Sequence, residues 1–86
     1  MTNGKKHDIT DLERESIKKI ATKAKKLRVE KGYSYEEFAL HANINRNTYF
    51  KFEKSATTGE NFTIAVLAKV IRGLEQSFES FFQGIL

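Results

Sequence analysis

Not one of the 86 residues is a proline, and no stretch of the chain sustains an alternation of β-branched residues. Apolar positions recur instead at spacings of three and four, the period of an α-helix with one buried face. An all-α fold is therefore predicted. The longest stripe, Ile17, Ile20, Ala21, Ala24 and Leu27, follows Thr10-Asp11-Leu12-Glu13, which fits a capping box, and precedes Gly32, a plausible stop. A first helix from about Thr10 to Lys31 is expected.

Ser34 opens a second helix, with Glu37 as its capping partner and Phe38, Ala39 and Ala42 turned inward. Asn43-Ile44-Asn45 interrupts it. Asparagine tolerates the left-handed backbone conformation, so Asn43 can end that helix, Ile44 can anchor the turn, and Asn45 can cap the next helix through its side-chain oxygen. The third helix, about 46–54, has Tyr49 and Phe52 toward the core. Asn47, Phe50, Lys51 and Lys54 lie on the other side, and Arg46 projects from the first turn. A polar loop is expected at 55–61. Thr63 then caps a fourth helix with Ile64, Leu67, Ile71 and Leu74 inward, and Ser77 caps a final helix reaching the C-terminus. Residues 1–9 are expected to be a flexible tail and 10–86 a single domain.

The formal charge of +4 is unevenly spread. Residues 17–54 carry ten basic against four acidic side chains, +6, whereas 1–16 and 55–86 are each −1. A basic block between near-neutral ends fits a polyanion partner, although lysines on one helix face are often only solvated. With no cysteine, neither a disulfide framework nor a thiolate metal site can support the core. No apolar run approaches the roughly 18 residues that span a membrane, and the start "MTNGKKHD" lacks a signal-peptide core. A cytoplasmic protein with no membrane association is the expectation.

From Ile20 to Phe82 the chain resembles the phage-repressor and Cro type of helix-turn-helix domain, the XRE family. The matches are Leu27-Arg28 with Lys31-Gly32, Ser34 with Glu36-Glu37-Phe38-Ala39, and Ile44, Arg46, Thr48 and Glu53. Leu67-Ala68, Leu74, Ser77 and Phe81-Phe82 complete them. The resemblance implies a five-helix bundle of the lambda-repressor-like type, here with an extended first helix and the motif at about 34–54. It also implies a sequence-specific regulator of transcription, a repressor that binds double-stranded DNA with its third helix in the major groove.

Carried over by position, Arg46, Asn47, Phe50 and Lys51 become base-edge candidates. Arginine and lysine donate to guanine O6 and N7, asparagine pairs with adenine N6 and N7, and Phe50 suits thymine methyl groups. Ser34, Tyr35, Asn45, Thr48, Lys54 and Ser55 become phosphate candidates. Tyr35 stands where the family often has glutamine, so its contact is expected to differ.

The C-terminal Phe78, Phe81, Phe82, Ile85 and Leu86 are more apolar groups than one short helix can bury on a small bundle. Such a surplus marks an interface. A homodimer through this segment is expected, with Phe78 and one of Phe81 or Phe82 spent on the core, and with Ile9 and Leu12 as a second candidate contact. No GxSxG, HExxH or phosphate-binding glycine loop occurs, and His7 and His41 lack co-ligands, so no enzyme, cofactor or metal site is expected. The alternative function is a protein-interaction module, such as an antitoxin whose main contact is a toxin or another regulator.

Overall fold

A computed structural model describes residues 10–85, which fold as five helices: α1 Asp11–Glu30, α2 Tyr35–His41, α3 Arg46–Thr58, α4 Ile64–Gly73 and α5 Phe78–Phe82. The all-α expectation holds. Residues 1–9, with the expected tail, His7 and Ile9, lie outside the described residues, as does Leu86.

Each boundary has a local cause. At α1 the Glu13 N–H donates to the Thr10 hydroxyl, and the Glu13 carboxylate accepts from the Thr10 N–H at 3.0 Å. Ser34 and Glu37 repeat this reciprocal box at α2. Such a cap contributes about 1 kcal/mol. Asn43 takes a φ of +60°, the left-handed turn expected of it, and Ile44 beyond it is buried. Asn45 then caps α3, its Oδ1 accepting from the N–H groups of Asn47 and Thr48.

Phe38, Tyr49, Phe52, Ile71, Leu74 and Phe81 are the largest apolar side chains of one continuous core, to which every helix contributes. Gly73 sits where α2 and α4 come close. A Cβ there would lie 2.9 Å from both the Ala42 Cβ and the Phe38 ring.

Three expectations are corrected. The third helix does not stop near residue 54 but runs to Thr58, because nothing breaks it before Gly59, whose φ of +71° ends it. Arg14 of α1 donates to the Thr58 carbonyl at 3.3 Å, satisfying that C-terminus. Ile64, placed inward on spacing, is exposed in the first turn of α4, and Leu67, Val70, Ile71 and Leu74 form the buried face. The final helix is a single short turn and a half: Gln83 turns to extended backbone, and Gly84 takes a positive φ.

That last helix also divides its phenylalanines differently from expectation. Phe81 is wholly buried and belongs to the core, so it is withdrawn from the interface candidates. Phe78, expected in the core, is 46% exposed, and Phe82 and Ile85 pack partly against the core. Position four residues after the Ser77 cap, rather than apolarity, decides which ring turns inward. No helix of the described residues is long and apolar enough to cross a membrane.

Candidate nucleic-acid interface

The geometry of α3 is set from behind. Glu53, on its inner side, receives Arg28 Nε at 2.5 Å and the Tyr49 hydroxyl at 2.5 Å on one carboxylate oxygen, and Arg28 Nη2 at 3.1 Å on the other. Arg28 Nη1 donates in turn to the Tyr33 carbonyl at 2.6 Å, just ahead of the α2 cap. One guanidinium therefore ties α1, the α1–α2 link and α3 together. Burial works against the Arg28 charge, but the hydrogen bond and the negative charge of Glu53 outweigh it and raise its pKa. Burial, then the Glu53 hydrogen bond and charge, push the Tyr49 hydroxyl well up, so it remains a neutral donor.

The opposite side of α3 faces outward. Arg46, Asn47, Phe50, Lys51 and Lys54 are all exposed, at the spacings that place Asn47, Phe50, Lys51 and Lys54 on one face. Phe50 is not a loose surface ring. It lies 5.8 Å, centroid to centroid, from Tyr35 on α2, and the Lys54 ammonium stands over the ring, 5.7 Å from its centroid. The two aromatic rings bridge the outer edges of α2 and α3, flanked by cations. Arg46 is held by a salt bridge to Glu36, Nη1 to Oε2 at 2.8 Å, with both side chains largely in solvent.

Most of the phosphate candidates border this face, but with different freedom. Thr48 is exposed and Tyr35 half-buried. Asn45 spends its Oδ1 on the α3 cap, which leaves its amide N–H₂ to donate. Ser34 has both its N–H and its hydroxyl engaged with Glu37, so it meets a phosphate only by giving up part of that contact. These hydrogen bonds from the Ser34 backbone and side chain lower the Glu37 pKa and keep it ionised. Ser55 does not qualify. It is buried inside the lengthened α3, and its hydroxyl donates to the Lys51 carbonyl at 3.1 Å, so it cannot meet a phosphate.

The role of Glu36 escaped the sequence. Counted there only among the family matches, it is the partner of Arg46, ten residues on. The two approach because the α2–α3 turn folds back, a signal available only once the turn is recognised. Among the described residues no group of three or more histidine, cysteine, aspartate or glutamate side chains could hold a metal ion.

No protein-family model and no curated protein sequence matches the chain. Solved structures do. The restriction-modification controller protein C.Esp1396I, as a tetramer in complex with its natural 35 base-pair operator, is similar with a TM-score of 0.71 and 31% identity, over 81% of this chain and 88% of that one. The wild-type C.Esp1396I structure gives a TM-score of 0.70 at the same 31% identity, over 81% and 88%.

Proposed function

The chain belongs to the family of helix-turn-helix restriction-modification controller proteins, and from that premise we propose that it is a sequence-specific, double-stranded DNA-binding regulator of transcription of the Cro and phage-repressor type. The observation that carries the proposal is the outer face of α3. Three cations, an amide and an aromatic ring stand exposed on a helix that a buried arginine–glutamate pair fixes against the rest of the bundle.

In the mechanism that follows, α3 enters the major groove with Arg46, Asn47 and Lys51 at base edges and Phe50 against thymine methyl groups. Thr48, Lys54, Tyr35, Ser34 and the Asn45 amide meet flanking phosphates, which set register without reading sequence. The Arg46–Glu36 pair gives way as Arg46 turns to a base. Exposed pairs of this kind contribute only about 0–1 kcal/mol, so breaking it is a small cost against a bidentate guanine contact.

One helix reads only a few base pairs, and a two-fold dimer doubles that reach across half-sites about one helical turn apart. Phe78, Phe82 and Ile85 are the apolar groups of the described C-terminal segment that a second copy would cover, with Leu86 following them in sequence. C.Esp1396I is a tetramer on its operator, which supports an oligomeric reading here. The regulator would act as a repressor wherever its site overlaps a promoter.

The test is selection from a pool of random duplex DNA at near-physiological salt. Enrichment of a short palindrome is expected. No enrichment, with weak salt-sensitive binding alone, would favour the alternative of a protein-interaction module or antitoxin.

A further inference from the structure

Between α1 and the turn after α5 runs a groove of about 660 Å³. Its floor includes the half-buried Leu27 and Ile85, and Lys18, Lys19, Lys23 and Lys26 stand along it. Lys23 is part of the wall itself, because its ammonium donates to the carbonyls of Phe81 and of Gln83, the latter at 2.9 Å, and so pins the last turn to α1. Lys19 and Lys26 are exposed, and Glu30 is the one carboxylate among the lining residues. None of these residues belongs to the outer face of α3.

The same helix carries the complement of this groove. One turn-spaced stripe of α1 contains Leu12, Glu15, Lys19, Lys23 and Lys26, with Asp11 beside its start. Leu12 is 78% exposed, an apolar knob flanked by Asp11 and Glu15. Acidic groups in a first turn also serve the helix dipole, but that effect fades within a turn, and Lys18, Lys19 and Lys23 lie in the middle of a 20-residue helix. The dipole therefore does not account for the basic half of the stripe.

We propose that the groove receives the acidic start of α1 from a second copy of this chain, the two helices running antiparallel about a two-fold axis. Leu12 of each copy then covers Leu27 and Ile85 of the other, and Asp11 and Glu15 lie among Lys19, Lys23 and Lys26. A two-fold contact is self-complementary, so both ends of the stripe are used twice. A nucleic-acid backbone would satisfy the lysines but offers nothing apolar for the floor. The groove wall at Gln83–Ile85 follows Phe82 in the chain, and the Phe82 ring lies 6.2 Å from that of Phe78, which links this contact to the C-terminal one. The inference rests on the homo-oligomeric reading above.

The experiment is sedimentation of the full chain over a range of concentration and salt, for the wild type, for K19E/K26E, for D11K/E15K, and for an equimolar mixture of the two variants. Circular dichroism confirms that each is folded. Either charge reversal alone is expected to weaken self-association by about tenfold or more. The mixture, in which both contacts again pair opposite charges, is expected to regain the wild-type mass and its sensitivity to salt. Wild-type mass in both single variants overturns the proposal, as does a loss that mixing does not restore. Phe78→Glu is the control. If it alone yields a monomer, the oligomer reading stands and the groove assignment falls; a wild type that is monomeric throughout contradicts both.

Discussion

Arg28 and Glu53, 25 residues apart in the chain, meet through two hydrogen bonds of 2.5 and 3.1 Å with both side chains nearly sealed from water. Glu53 precedes Lys54 in α3 but turns its carboxylate to Arg28 and Tyr49, so the pair sets the pose of the candidate DNA face without belonging to it. Removing one member leaves the other as an uncompensated buried charge. Glu53→Ala is therefore expected to lower stability by about 3–5 kcal/mol in urea titrations, whereas an Arg28→Met, Glu53→Leu double variant loses much less. Equal losses for the two would show that the pair stabilises by attraction rather than by mutual neutralisation.

The Ser34–Glu37 box makes a prediction in pH. Hydrogen bonds from the Ser34 backbone and hydroxyl hold the folded Glu37 pKa below its ordinary value. A depressed folded pKa contributes stability that is present above the unfolded value, about 4.3, and is lost as pH falls through the lower folded value. Glu37→Gln is expected to be less stable than the wild type at pH 7, with the difference shrinking below about pH 4. A gap that stays constant from pH 7 to pH 3 would dissociate the box from this titration.

Lys54 stands over Phe50 at the edge of the outer face of α3. As a phosphate contact it should act on every duplex alike. Lys54→Ala is expected to weaken selected and random DNA equally and to reduce the slope of log affinity against log salt by about one. Loss confined to the selected sequence would make it a base reader.

Phe78 offers the cleanest probe of the C-terminal contact, because at 46% exposure a charge there costs little in the isolated chain. Phe78→Glu should keep its helical content and sediment as a monomer. Unchanged mass would move the interface away from α5.

How much of this was legible in the sequence varied with how local the physics is. The caps at Thr10, Ser34, Asn45, Thr63 and Ser77 were all readable, because each depends on a side chain within three residues of the amide that it satisfies. Asn43 in the left-handed region was readable for the same reason. The outer face of α3 followed from spacing alone. What failed was non-local. Ser55 looked like a loop residue, since nothing near it announces that Arg14, far back on α1, closes the helix at Thr58. Phe78 was wrongly expected in the core, because burial of the rings depends on the angle at which α5 meets the bundle. The Glu36–Arg46 pair and the lysine groove depend on elements brought together only by folding.

The most direct test compares wild type with Arg46→Ala and Asn47→Ala on the duplex that selection yields and on a scrambled duplex of the same length and salt. Each variant is expected to lose about 1–3 kcal/mol on the selected duplex, with relaxed preference at a single base pair, and to bind the scrambled one nearly as the wild type does. Equal losses on both duplexes would contradict the claim that the start of α3 reads bases.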